Sequence, residues 1–267
     1  MSEEFDGQAP PPEHEPLPPP EFPPSPPPPP APEREPFWGY SDLALLLGLS
    51  FPALLLSWGV VRLVMAVLRI HDSAGAGEAV AAQFVFYLLL FFSLRMMFLA
   101  QYGRPFWRSL GWQPSRLPPL TIVMLGIATA VGVALAGTLL RTPEVPNPMT
   151  DMMRDPKSLI VMAVFGVTMA PVCEELAFRG FLQPLLVRGL GAVPGIALAG
   201  IAFGLLHFRE YGNSWRHAVV IALAGSAFGC MRHLTGSTRA SALMHAAYNG
   251  FLFAVLFSQR KDLPHLW

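Results

Sequence analysis

The sequence predicts an all-α, polytopic bundle of transmembrane helices preceded by a disordered proline-rich tail. Three observations lead there. Of 267 residues, 52% are hydrophobic and only 13% are charged, and the mean hydropathy is +0.43, well on the apolar side of ordinary soluble domains. From Ser41 onward, apolar stretches alternate with short polar breaks, most stretches approaching the roughly 20 residues a helix needs to cross a hydrocarbon core. Finally, 16 of the 29 prolines fall within the first 36 residues.

The tail comes first along the chain. It includes the run Pro26 to Pro30, interspersed with Glu13, Glu15, Glu21, Glu33 and Glu35. Proline locks φ and lacks a backbone donor, so this stretch builds no packed core. It is expected to be a solvated, semi-rigid polyproline segment that ends near Phe37 and Trp38 at a membrane interface. No basic run opens it, so it does not read as a signal peptide. Its composition suits either a plain spacer or a ligand for a Pro-motif-binding partner.

The formal net charge of zero hides an asymmetry. Residues 1 to 40 hold eight acidic groups and one basic group, leaving 17 basic and 10 acidic residues in the rest. A modest positive excess on a membrane protein normally serves loops facing anionic head groups. There is no Lys/Arg cluster, and no nucleic-acid partner is expected. Cys173 and Cys230 sit within apolar runs, where Cys behaves as a small hydrophobe.

Seven apolar segments follow, at about 41–69, 79–100, 118–140, 157–187, 192–208, 217–234 and 238–257. They predict about seven spans, within one. Three regions are expected: the tail at 1–36, variable transmembrane helices at 37–150, and a helical core at 151–260. Arg104, Arg108 and Arg116 in one loop are balanced by Arg141, Arg154 and Lys157 on the opposite side, so positive-inside counting does not fix orientation. Gly191/Gly195, Gly200/Gly204 and Gly225/Gly229 recur at four-residue spacing, which predicts close backbone approach among the C-terminal helices.

Ionisable groups inside a bilayer cost about 3 kcal/mol each on insertion scales, so each demands a reason. Segment 157–187 contains Glu174, Glu175 and Arg179 between apolar runs. Glu175 and Arg179 are four apart and can pair, while Glu174 is rotated by about 100°. Glu174 is thereby left to face a cavity as the reactive carboxylate, with Pro171 opening the helix beside it. The next segment carries Phe203 and His207, and the last carries His245 and Asn249 on one face. In a simple up-down bundle the two imidazoles would differ in depth by about 10 Å at 1.5 Å per residue, so a shared pocket requires tilt or stagger. His71, His217, His233 and His265 lie near helix ends and read as solvated or interfacial; His14 lies in the tail.

The ordered set Glu-Glu-x-x-x-Arg, Phe-x-x-x-His and His-x-x-x-Asn on successive apolar helices resembles the CPBP family, which includes type II CAAX prenyl endopeptidases and bacteriocin-processing proteins. The resemblance covers about 157–257. It implies a glutamate-dependent intramembrane peptidase in which Glu174 and His207 activate a water, while His245 and Asn249 stabilise the oxyanion. Glu175, Arg179 and Phe203 would support them. The implied partners are membrane lipid and a peptide or lipidated-protein substrate cleaved near its C-terminus, in what the Ala/Gly/Pro/Arg bias suggests is a bacterial plasma membrane.

Other readings stand beside it. Zinc held by Glu174, His207 and His245 is possible, with an open position for water, although the His-Glu-x-x-His signature is absent. The pocket would equally serve a non-catalytic scaffold or self-immunity factor, or a proton-coupled transporter, since intramembrane Glu, Arg and His also mark ion pathways.

Overall fold

The computed structural model of the chain describes residues 35–72, 74–143 and 151–259. The proline-rich stretch 1–34, His14 and His265 lie outside the described residues. All regular structure among the described residues is helical.

Helix α1 (Tyr40–Leu68) starts where the Asp42 carboxylate accepts the Gly39 N–H at 2.7 Å, and α2 (Ala76–Tyr102) ends at Gly103 with φ +62°. That left-handed end suits glycine. Tyr102 returns its hydroxyl to Asp42 at 2.8 Å, tying the end of α2 to the start of α1. A single short turn, α3 (Phe106–Ser109), leads into α4 (Pro119–Leu139).

The next span, 156–190, is apolar over 35 residues but is not one regular helix. Helix α5 (Pro156–Val167) begins at Asp155, whose carboxylate accepts the Ser158 N–H at 2.8 Å. It breaks at Thr168, and α6 (Met169–Glu175) follows. Pro171 explains the break: it has no N–H to offer the Val167 carbonyl one turn back, and its ring crowds that oxygen. The chain then runs as a π-helix over Leu176–Leu182 before α7 (Gln183–Leu190). Such wide turns are rare and concentrate at functional sites.

Helices α8 (Ala192–Leu206), α9 (Trp215–Thr235) and α10 (Thr238–Gln259) complete the bundle. Among the described residues, six helical segments are long and apolar enough to cross a membrane; α8, with 15 residues, is shorter. The seven apolar stretches therefore resolve into six candidate spans and one helix about 22 Å long, short of the roughly 30 Å hydrocarbon core.

Packing follows chain order at the ends and crosses it in the middle. α1 lies on α2, α4 on α10, and α8 on both α7 and α9, while α5 and α6 rest on α10. Glycine permits the tightest approaches. A Cβ on Gly126 would strike the Met244 carbonyl oxygen of α10, and one on Gly204 would strike the Ala218 carbonyl of α9. One apolar cluster gathers Trp38, Leu46, Leu94, Phe98, Leu110 and Phe181; another gathers Ile122, Phe228, Met231 and Met244. Outward positions are apolar too, with Leu139 and Val193 at 84% and 80% exposure. A water-facing surface would not present such residues, and a lipid-facing one requires them. The protein is a multi-pass membrane protein.

Trp38, just ahead of the first candidate span, is buried within the protein, its indole N–H donating to the Phe181 carbonyl at 3.1 Å within the π-helical stretch.

Candidate active site

The adjacent glutamates on α6 have opposite environments. Glu175 is completely buried and its carboxylate is saturated: Arg179 Nη1 donates to Oε1 at 2.9 Å, Ser241 Oγ to Oε2 at 2.6 Å, and His245 Nδ1 lies 3.0 Å from Oε1. Arg179 is equally buried, and its Nη2 donates to the Gly225 carbonyl at 2.6 Å. The guanidinium lies 4.6 Å from the Phe203 ring centre and 5.6 Å from that of Phe228, a desolvated cation against aromatic faces. Four residues on, Gln183 repeats the pattern by donating to the Gly229 carbonyl at 2.9 Å. The Gly225/Gly229 pair thus opens two carbonyls of α9, one to Arg179 in the π-helical segment and one to Gln183 at the start of α7.

Glu174 is the less committed carboxylate. Its side chain is 13% exposed, His245 Nε2 stands 3.9 Å from Oε2, and the Tyr87 hydroxyl is 3.3 Å from Oε1. His245 therefore has one carboxylate at each nitrogen. Because Glu175 is an acceptor, Nδ1 carries the proton there and Nε2 is the nitrogen that looks toward Glu174. The imidazole stacks on Phe228 at 4.5 Å, fixing its plane.

His207 sits immediately after α8, its Nδ1 2.8 Å from the Phe203 carbonyl. A carbonyl only accepts, so Nδ1 carries the proton and the Nε2 lone pair is left for another partner. Phe203 lies between the two imidazoles, with ring centres 4.6 Å from His207 and 5.8 Å from His245. Because one phenyl ring contacts both, the expected depth difference does not prevent the two imidazoles from sharing a neighbour.

Asn249 follows His245 by one turn of α10 and donates its amide nitrogen to the Gly166 carbonyl at 2.7 Å, beside the break between α5 and α6. Sequence reasoning singled out none of Tyr87, Ser241 and Glu210. Glu210 Oε2 lies 4.0 Å from His207 Nε2. Burial pushes the Glu210 carboxyl up from its ordinary value, against the opposing pull of His207; burial likewise pushes the neighbouring Tyr211 hydroxyl up to about 12. His217 is not simply solvated either: its Nδ1 is buried without a hydrogen-bond partner and its ring stacks on Tyr211 at 5.3 Å. His71 and His233 are exposed.

A zinc ion shared by Glu174, His207 and His245 would need three donors about 2.0–2.2 Å from one point. Glu174 and His245 are spaced so that one ion could bridge them, but among the described residues no three His, Cys, Asp or Glu side chains converge as a metal site. The three-ligand set does not fit as these side chains stand, and no step below passes through a metal.

Comparison with curated proteins and with solved structures finds no match. A family model does match, and it spans both glutamates, Arg179, Phe203, both imidazoles and Asn249: over residues 156–251 the chain is similar to the Rce1-like family, type II CAAX prenyl endopeptidase.

Proposed function

We propose that the chain is an intramembrane endopeptidase that cleaves near the C-terminus of a membrane-associated or lipidated peptide, in a bacterial plasma membrane. The family match supports a CAAX-type membrane protease. The observation that carries the finer reading is the division of labour between the two carboxylates. Glu175 is satisfied by three donors, whereas Glu174 keeps an accessible oxygen beside an imidazole.

In this reading Glu174 and His207 take the proton of an attacking water, His207 through the Nε2 lone pair left by its bond to the Phe203 carbonyl. As the tetrahedral centre forms, negative charge gathers on the former carbonyl oxygen. His245, held at Nδ1 by Glu175 and donating from Nε2 once that nitrogen also carries a proton, and Asn249 are the donors for it. An amide nitrogen carries two protons: the Gly166 carbonyl holds one and so fixes the side chain, and the second is the one offered to the oxyanion. Collapse then breaks the C–N bond, with the proton delivered to the leaving amine. Arg179 and Phe203 act indirectly, by fixing Glu175 and the spacing of the imidazoles.

Glu174→Gln tests the reading because it keeps size and polarity and removes the base. Cleavage of a prenylated CaaX peptide by chain reconstituted in lipid should fall at least about 100-fold, as expected for loss of a general base, with the folded state retained. Undiminished cleavage would defeat the mechanism. Biological protection that persists without any cleavage would instead favour a scaffold or immunity role.

A further inference from the structure

We infer that Tyr87 on α2 is the positioning residue that holds Glu174 for the reaction, and that Gln83 in turn holds Tyr87. The inference rests on the protease reading above. It adds to that reading a group from outside residues 156–251, where the family match lies.

Gln83 Nε2 lies 2.9 Å from Tyr87 Oη, which lies 3.3 Å from Glu174 Oε1. The direction of this relay is set by chemistry. An amide nitrogen can only donate, so Gln83 occupies a lone pair of the phenol oxygen. The phenol has one proton, and the carboxylate is the acceptor that remains for it. The contact to Glu174 is longer than the O–H···O optimum of about 2.7–2.8 Å, as catalytic contacts in the substrate-free state often are. Gln83 and Tyr87 are four residues apart on one face of α2, the spacing at which such a pair meets without distortion.

The tyrosine is a rigid donor. It is buried, with its ring stacked on Phe165 of α5 at 6.5 Å and 11° and on Phe91 at 6.2 Å. Glu174 is consequently approached from two sides, by Tyr87 at Oε1 and by His245 at Oε2. A carboxylate acting as a base needs one oxygen free to take the proton. With Tyr87 on Oε1, that oxygen is Oε2, on the side of the His245 imidazole.

The test uses the full chain in lipid nanodiscs and a quenched prenylated CaaX peptide. Tyr87→Phe keeps the ring and its stacking and removes only the hydroxyl. It should lower kcat about tenfold, the scale of one hydrogen bond to a charged group, with KM changed less than about twofold. Gln83→Leu should lower kcat less, and the double variant should fall no further than Tyr87→Phe alone, because Gln83 acts only through Tyr87. Wild-type kcat in Tyr87→Phe, or additive losses in the double variant, would overturn the inference.

A second measurement needs no substrate. In a thermal-unfolding cycle of Tyr87→Phe, Glu174→Ala and the pair, the contact should appear as non-additivity of about 2–4 °C; strict additivity overturns it whatever the chain cleaves. Coupling that persists in a wild-type chain unable to cleave peptide would remove the protease reading and the positioning role together. Coupling with a Tyr87→Phe enzyme at full kcat would remove the positioning role alone.

Discussion

At the scale of single residues, the centre of the bundle is a buried ion pair serving a less buried carboxylate. Glu175 and Arg179 are both fully out of water, and neither charge is tolerable there alone. Arg179→Ala should therefore cost about 3–5 kcal/mol of stability by stranding Glu175, and should abolish cleavage with it. Replacing both partners with apolar residues, as in Glu175→Leu with Arg179→Met, should recover much of the thermal stability and none of the activity, because His245 then loses its Nδ1 acceptor. Melting and turnover measured on the three variants check this; full activity in the apolar pair would show that Glu175 does not orient His245. The pair itself was legible in the sequence, since a carboxylate and a guanidinium four apart in an apolar helix announce each other. Tyr87 and Ser241 were not. Each is one of several polar residues on its helix with nothing in the sequence to set it apart, and the contacts they make to the glutamates bridge 87 and 66 residues of chain.

At the scale of helices, positioning depends on where regular geometry fails. The break at Thr168, the π-helical stretch and the end of α8 each adjoin or contain one group: Glu174 on α6, Arg179 within the wide turns, His207 after α8. Pro171 made the first failure readable. The second left no mark, because a π-helix uses the same residues as an α-helix and is selected by tertiary contacts such as the Trp38 bond to the Phe181 carbonyl. The bounds of α8 were legible to within two residues, 192–208 against Ala192–Leu206, because Gly191 and His207 mark its ends; what differs is that its 15 residues are too few to count as a span. The glycine spacing was a sound guide to close approach. On α8, a Cβ at Gly204 would meet Ala222 Cβ and the Ala222 nitrogen at 2.9 Å, as well as the Ala218 carbonyl. Gly204→Val should thus push α8 from α9, at a cost of about 1–3 kcal/mol for overpacking, and displace His207 one turn away. Activity should fall more than the melting temperature does. Gly132→Ala on α4, where an added Cβ meets nothing within 4 Å, is the matched control and should change neither. Equal effects at the two glycines would mean that the α8–α9 contact does not set the site.

At the scale of the whole molecule, hydropathy made the fold class legible because a bilayer leaves a single chain segment little choice but to satisfy its backbone within a helix. The pairing of α4 with α10, or of α2 with α5, was not legible, since lipid-facing and helix-facing positions are equally apolar and no amphipathic stripe marks the contact. The boundary between tail and bundle is where this matters most. The helical body is anchored from Pro36 onward: the Pro36 carbonyl accepts from Arg188, and Trp38 is buried among Phe98, Phe181 and Leu94. Residues 1–34 are a different kind of chain, rich in proline and acid, whose composition suits a spacer or a ligand for a Pro-motif-binding partner and supplies no group to the reaction proposed above. Deleting 1–34 should accordingly leave melting temperature and peptide cleavage unchanged in nanodiscs. Extending the deletion through Gly39 removes Trp38 and its bond to the π-helical segment; a truncated Trp side chain in a core typically costs about 3–5 kcal/mol, so the longer deletion should lower the melting temperature markedly and reduce activity with it. Thermal unfolding and turnover of the two truncations, measured side by side, locate the functional boundary. A loss of cleavage already at the shorter deletion would place the tail in the catalytic cycle.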